Sequence, residues 1–296
     1  SDSAPPAATS PRVDAAGTGG GVPSPRRARA RLWRVAKIVL ALGVVAGLAG
    51  ALVVVLTVRH YEERVPSVEQ LRSGYAPPQV TRVLARDGTV LANLFTERRT
   101  VISLAELPDH AKLAFLAAED ARFYEHRGLN YVGMLRALLA NLRAGRTIQG
   151  GSTITQQVVK NVLLDDSRTY ERKIKETILA RRLEQNLSKD EIFALYLNHI
   201  FFGHGRYGVE EASRFYFGKP AADLDLAEAA LLAGIVAAPE RFSPRKAAKK
   251  ALERRRYVLG QMLEKGFIDG PLHARSVDAP LRLAPAEARP QPSIDR

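Results

Sequence analysis

The 296-residue sequence contains no cysteine, which excludes a disulfide framework, thiol catalysis and the common zinc-finger ligand sets. Acidic residues are in short supply: 31 Asp and Glu stand against 44 Lys and Arg, a formal net charge of +13. The expected partner is therefore a polyanion, an anionic membrane surface or an acidic substrate, and charge alone does not choose among them. No KTG and no SxN triad occurs, so Ser243-Pro244-Arg245-Lys246 stands as an isolated SxxK, and Pro244 is expected to break the helix that such a motif needs. His199 and His204, five apart with no carboxylate beside them, do not read as a metal site. No internal repeat is visible. A hydrophobic fraction of 46% excludes a wholly disordered chain.

What the sequence does have begins with an uncharged apolar run from Ile38 to Val58, long enough at about 1.5 Å per residue to cross a hydrocarbon core about 30 Å thick. Residues 1–37 precede it with seven positive and two negative side chains, so a disordered cytoplasmic tail (1–37), one transmembrane signal anchor (38–58) and an outward-facing remainder are expected. Val80–Leu84 and Thr89–Phe95 flank Asp87-Gly88 and predict a β-hairpin within a linker over 59–101. Helical patterning follows, with starts at Asp109, Ser152, Ser188 and Asp225, the last two completed as capping boxes by Glu191 and Glu228. The main domain is expected to be mostly α over 102–270, and prolines from Pro271 onward predict a linker-like tail over 271–296.

Three clusters carry candidate chemistry. Glu119 and Asp120 close an apolar helix containing Leu113, Phe115 and Leu116, with Phe123, His126 and Gly128 following. A carboxylate there is placed for a raised pKa and general-base work, and taken alone it reads as readily as an exposed helix-end group. Gly150 to Gln157 (GGSTITQQ) sets glycines and hydroxyls ahead of a helix N-terminus, where free N–H groups favour an anion, with Lys160 on the Gln156 face. Arg172-Lys173-Ile174-Lys175-Glu176 opens a further helix with Arg172 and Glu176 four apart. Two carboxylates, a helix N-terminus and several cations suit transfer of a group away from a phosphate. The basic run Arg245, Lys246, Lys249, Lys250, Arg254, Arg255 and Arg256 is interleaved with alanines and reads as an amphipathic helix facing lipid headgroups, not nucleic acid.

Glu119 to Gly128 matches EDxxFxxHxG at every fixed position, Gly150 to Gln157 reads GGSTITQQ, Arg172 to Glu176 reads RKxxE, and Glu191 to Asn198 reads EIFALYLN. In this order they resemble the signatures of the peptidoglycan glycosyltransferases, the murein polymerases found alone or as the N-terminal half of class A penicillin-binding proteins. Ala194 departs from the fourth signature, and the stretch Ala233–Pro239 with Phe242-Ser243-Pro244 resembles the fifth without its first Pro and its Tyr-Asn. The likeness covers about residues 66–270, and ordered motifs are far more specific than any one of them.

The resemblance implies a lysozyme-like helical lobe with a smaller membrane-touching jaw between Gly128 and Thr169. It implies lipid II and the lipid-linked glycan chain as substrates, with partners in a cell-wall synthesis complex. By the match, Glu119 is the base that deprotonates the acceptor 4-hydroxyl, and the reaction inverts to a β-1,4 link. Lys160, Arg168 and Lys173 stabilise the departing undecaprenyl diphosphate, and Asp120, Ser152, Thr153, Gln156, Gln157 and Arg172 contact substrate. Glu176 is the second essential carboxylate, holding a divalent cation (Mg or Mn) or orienting the diphosphate. The expected location is the bacterial cytoplasmic membrane with the catalytic domain outside. A start at Ser1 and a Pro-rich end fit the truncated half of a bifunctional protein. A lytic enzyme of lysozyme type and a non-enzymatic anionic-lipid scaffold are the competing readings.

Overall fold

The structure is a computed structural model that describes residues 25–62, 81–84, 86, 90–94, 98–146, 150–163 and 169–285. The chain divides into two compact units, Ser1–Thr57 and Val58–Arg296. Helix α1 runs from Pro25 to Glu62, longer at both ends than the expected 38–58 span. Its portion from Trp33 to Glu62 contains an 18-residue stretch with a mean hydropathy of 2.8 and is long and apolar enough to cross a membrane. The expectation of disorder through residue 37 is corrected from Pro25 onward. Proline suits the first helical position, and the following Arg, Ala, Leu and Lys residues are good helix formers. Residues 1–24 lie outside the described part.

In the second unit, β1 (Thr81–Leu84) and β2 (Val90–Leu94) pair antiparallel, with Thr81 opposite Leu94 and an irregularity between Val83 and Leu84. The pairing is the expected hairpin; its Asp87-Gly88 turn is outside the described residues. A two-residue strand β3 (Arg98–Arg99) pairs parallel with β4 (Arg206–Tyr207), a contact too short for any sequence period to announce.

The described residues after β3 are chiefly helical, as expected. Helix α2 spans Asp109–Glu119, α3 Tyr131–Ala144, α4 Ile154–Leu163, α5 Tyr170–Asn186 and α6 Lys189–His199. Then come α7 (Val209–Phe217), α8 (Leu226–Ile235), the short α9 (Pro239–Phe242), α10 (Pro244–Glu264) and α11 (Gly270–Asp278). Both predicted capping boxes are formed: Ser188 with Glu191 starts α6, and Asp225 with Glu228 starts α8. α8 is apolar nearly throughout and is the buried centre of the unit, packed against α2 and α10. The α8–α10 approach is close at Gly234, where a Cβ would come within 2.9 Å of Arg254 Cγ. α4 packs between α5 and α6. Asn198, at the end of the EIFALYLN segment, ties the helical body to the strand side: its Oδ1 accepts from Ile102 N (3.0 Å) and its Nδ2 donates to Ile102 O (2.9 Å).

Two proline expectations are corrected. Pro244 opens α10 at its first position instead of breaking a helix, and the bend in that helix falls at Ala247 (φ −146°, ψ 62°). Pro271 likewise sits in the first turn of α11, capped by Asp269, whose side chain accepts from Leu272 N. The chain remains attached beyond it. Arg255 donates to the carbonyls of Val277 and Ala279, Arg245 donates to those of Phe215 and Ala284, and Ala284 N donates to Tyr216 O. Residues 271–285 are thus part of the folded body.

Candidate active site

Glu119 is where it is because α2 ends there. Ala114, Phe115, Leu116 and Ala117 bury their side chains in the core, and Asp120 leaves helical geometry at φ −157°, ψ 77°. The last residue lies at the edge of the core, half-buried as a whole, with its carboxylate turned into the protein. Gln157 Nε2, from the first turns of α4, donates to Glu119 Oε2 at 2.8 Å. Desolvation by the surrounding protein raises the Glu119 pKa; the Gln157 hydrogen bond and the charge of Arg254 pull it back, and neighbouring Asp120 adds to the rise. The sequence expectation of a raised-pKa carboxylate at this helix end matches that environment.

The start of α4 differs from the expected anion site. Thr153 N donates to Gln156 Oε1 (3.0 Å) and Gln156 N donates to Thr153 Oγ1 (3.2 Å), a capping box formed by the motif itself. Ile154 N donates to Asp120 Oδ2 at 3.3 Å, and His126 Nε2 reaches the same oxygen at 2.8 Å. Thr153 Oγ1 donates to Gly128 O at 2.6 Å. The helix N-terminus is therefore already occupied by the protein's own carboxylate. Asp120, Thr153 and Gln156, expected to contact substrate, are each buried and form the hydrogen-bonded joint between the two motifs. Gly128 belongs to the same joint: it sits at φ +80°, and a Cβ there would come within 3.0 Å of Ala180 O in α5.

Ser152 is exposed just ahead of that joint, and Lys173 Nζ donates to its Oγ at 3.3 Å. Lys173 also contacts Glu176 Oε1, while Arg172 Nη1 lies 3.4 Å from Glu176 Oε2. Thr169 caps α5 and starts the turn that carries all three. Glu176 is buried with a cation on each oxygen, so it acts as the anchor of two positive side chains. That arrangement does not fit the expected role of Glu176 as a ligand for Mg or Mn, and the described residues hold no cluster of three His, Cys, Asp or Glu side chains suited to an ion. Lys160 is exposed on α4, three residues beyond Gln157 and hence on its face. Arg168 lies outside the described residues.

Two neighbours of the base escaped the sequence reading. Arg254 belongs to the run assigned to lipid headgroups, yet only Lys246, Lys249, Lys250 and Arg256 of that run are exposed. Arg254 lies over the Tyr257 ring at 4.3 Å within electrostatic reach of Glu119, and Arg255 is buried. Spacing gave the signal for Arg255, which shares the stripe of Ala251, Val258, Leu259 and Met262. Tyr196, inside the fourth motif, is the second. Elsewhere, His199 Nδ1 bonds Leu195 O, and His204 Nε2 bonds the buried Ser243 Oγ of the SxxK sequence.

A raised-pKa carboxylate, an amide holding it and a paired-cation cluster flank one helix start, and the family model described as Transglycosylase matches residues 87–263, which contain all of them. The chain belongs to the transglycosylase family. It is 42% identical over 240 residues to Penicillin-binding protein 1A of Aquifex aeolicus (strain VF5), an alignment covering 81% of this chain and 33% of that one. It is 43% identical over 188 residues to Penicillin-binding protein 1F of Bacillus subtilis (strain 168), covering 64% and 26% respectively. With Penicillin-binding protein 1A of Pseudomonas aeruginosa PAO1 the identity is 38% over 244 residues, 82% of this chain and 29% of that one. The crystal structure of Penicillin-Binding Protein 1A from Haemophilus influenzae aligns over 71% of this chain and 21% of its own, at 25% identity and a TM-score of 0.41. The chain thus spans a third or less of the length of these relatives, and what it shares with them is the peptidoglycan glycosyltransferase domain.

Proposed function

We propose that this domain polymerises lipid II into β-1,4-linked glycan, with Glu119 as the base. The observation that carries the reading is the Glu119 environment: desolvation raises its basicity while Gln157 fixes its orientation. Glu119 takes the proton of the acceptor 4-hydroxyl as that oxygen attacks the anomeric carbon of the donor's muramoyl sugar. The bond to undecaprenyl diphosphate breaks with inversion. Negative charge then grows on the diphosphate, and since Asp120 fills the start of α4, the compensating charge comes from side chains: Lys173, held by Glu176 and Ser152, the exposed Lys160, and Arg168 by its motif position. Arg172 shares the Glu176 anchor and fixes the geometry of Lys173.

The lytic reading asks for two working carboxylates on opposite sides of a glycosidic bond. Asp120 is spent on His126 and Ile154 N, and Glu176 on Arg172 and Lys173, which leaves Glu119 as one carboxylate among cations and favours transfer from a phosphate.

Membrane seating is part of the same reading. Tyr131, Leu135, Leu138 and Leu142 fall on one face of α3 and are 54–72% exposed, in the region expected to be the membrane-touching jaw. An apolar helix face of this width in water marks an interaction surface. We assign it to the outer leaflet that carries the lipid-linked substrates, with α1 as the anchor and the residues before it on the cytoplasmic side. Incubating the detergent-solubilised protein with labelled lipid II separates the readings: polymer supports this one, shortening of preformed glycan supports the lytic one, and no change in either supports a binding scaffold.

A further inference from the structure

Tyr196 sits in the middle of α6 with its ring wholly buried. It stacks on Phe193 (ring centroids 6.2 Å apart, planes 14° apart) and meets Phe115 edge to face at 6.5 Å. Phe115 is one turn before Glu119 on α2. Packing of this kind asks only for an aromatic ring, and phenylalanine already serves it at 115, 123 and 193. The Tyr196 hydroxyl is nevertheless buried and has no hydrogen-bond partner among the described residues. An unpaired buried hydroxyl is a net loss to stability, so its presence calls for something that the hydroxyl does.

The charges that act on it are identifiable. Burial is the largest cause, the Glu119 charge the next and the Asp120 charge the last, and together they raise the Tyr196 pKa well above that of an ordinary phenol. Tyr196 is thus a neutral donor in the field of the Glu119 and Asp120 carboxylates. The two carboxylates are not equally supplied with donors. Asp120 has His126 and Ile154 N, whereas among the described residues Glu119 has only Gln157, with Arg254 of α10 acting electrostatically.

We propose that Tyr196 is a positioning residue for the base: during turnover its hydroxyl donates a hydrogen bond to the ionised Glu119 carboxylate and holds the second oxygen toward the acceptor hydroxyl. This role rests on the assignment of Glu119 as the base. A donor to the ionised form stabilises it, so Tyr196 opposes the effect of burial and keeps Glu119 usable near neutral pH. The other charged groups facing Glu119, namely Asp120 with its partner His126 on the α2 side and Arg254 on the α10 side, stay in place when Tyr196 changes.

Tyr196→Phe removes one oxygen and keeps the packing. In lipid II polymerisation followed from about pH 5 to about pH 9, the acid limb of kcat/KM should move to higher pH by about one unit, with most of the rate regained above it. The KM for lipid II and the thermal midpoint should hold or improve. Site-specific 3-fluorotyrosine at position 196, a more acidic donor of nearly the same shape, should move the limb the opposite way. An acid limb superimposable on that of the unaltered protein in either replacement overturns the role, because a tyrosine that only packs does not move it. Absence of polymerisation by the unaltered protein instead refutes the reading of function on which the role stands.

Discussion

At the scale of single residues, the charge on each side chain decides whether it serves the fold, the reaction or both. Lys160 is exposed and makes no ion pair among the described residues, whereas Lys173 shares the buried Glu176 with Arg172. Lys160→Ala should therefore lower turnover by about two to three orders of magnitude, the usual loss of an electrostatic donor worth about 2.7 to 4 kcal/mol, with an unchanged melting midpoint. Lys173→Ala should lower both, because it removes one of two cations from a buried carboxylate. Parallel kinetics and thermal melts of the two variants check this, and an equal loss of stability in both contradicts it. Glu119 carries a pH signature of its own. A raised folded-state pKa means that the native protein holds its proton more tightly than the unfolded chain, so its contribution to stability is fully present below the unfolded pKa of about 4.3 and is lost as pH rises through the folded value. Glu119→Gln should accordingly melt higher than the unaltered protein at neutral pH and alike near pH 4; melts across that range that never diverge would count against a desolvated carboxylate.

The secondary-structure elements show what was readable in the chain and what was not. Ser188-Glu191 and Asp225-Glu228 announced their helices because a capping box is a local pattern with a local cause. The same grammar stood in Thr153 and Gln156, where glycines and hydroxyls before a helix suggested an anion from outside. The anion turned out to be Asp120, 34 residues away, a pairing that no local pattern encodes. Long separation also hid the β3–β4 pairing and the Arg245 and Arg255 contacts that bind residues 277–284. Prolines 244 and 271 read as breaks because position within a helix, not identity, decides what proline does. The catalytic motifs were legible as motifs, and their division into reacting and structural members was not. Asp120→Ala should thus behave as a structural change: loss of the charged cap and of the His126 partner is expected to cost about 1 to 3 kcal/mol in unfolding free energy, and denaturation of the variant at the unaltered midpoint would contradict a structural role. On α3, a fluorophore at position 142 in protein reconstituted into phospholipid vesicles through α1 should be quenched by lipid-borne bromine, and less so after the paired change Leu135→Glu and Leu138→Glu, with the melt intact, since both side chains already face outward; no quenching in the protein without the paired change would remove that face from the membrane.

Across the whole molecule, a net charge of +13, an apolar helix fit to span a bilayer and an outward apolar face on α3 are consistent with a protein that works on lipid-anchored anions. If residues from Val58 onward lie outside the cytoplasm, protease added to intact spheroplasts should remove the domain, and full protection would contradict that topology. The division of labour between Glu119 and the cations is the central claim, and it is tested by measuring polymerisation of labelled lipid II by Glu119→Gln beside the unaltered protein, with binding of lipid II recorded for both. Retained lipid II binding with polymer formation almost abolished is the predicted result, since glutamine keeps size and hydrogen bonding and loses only basicity; a folded variant that polymerises at near the unaltered rate would contradict it.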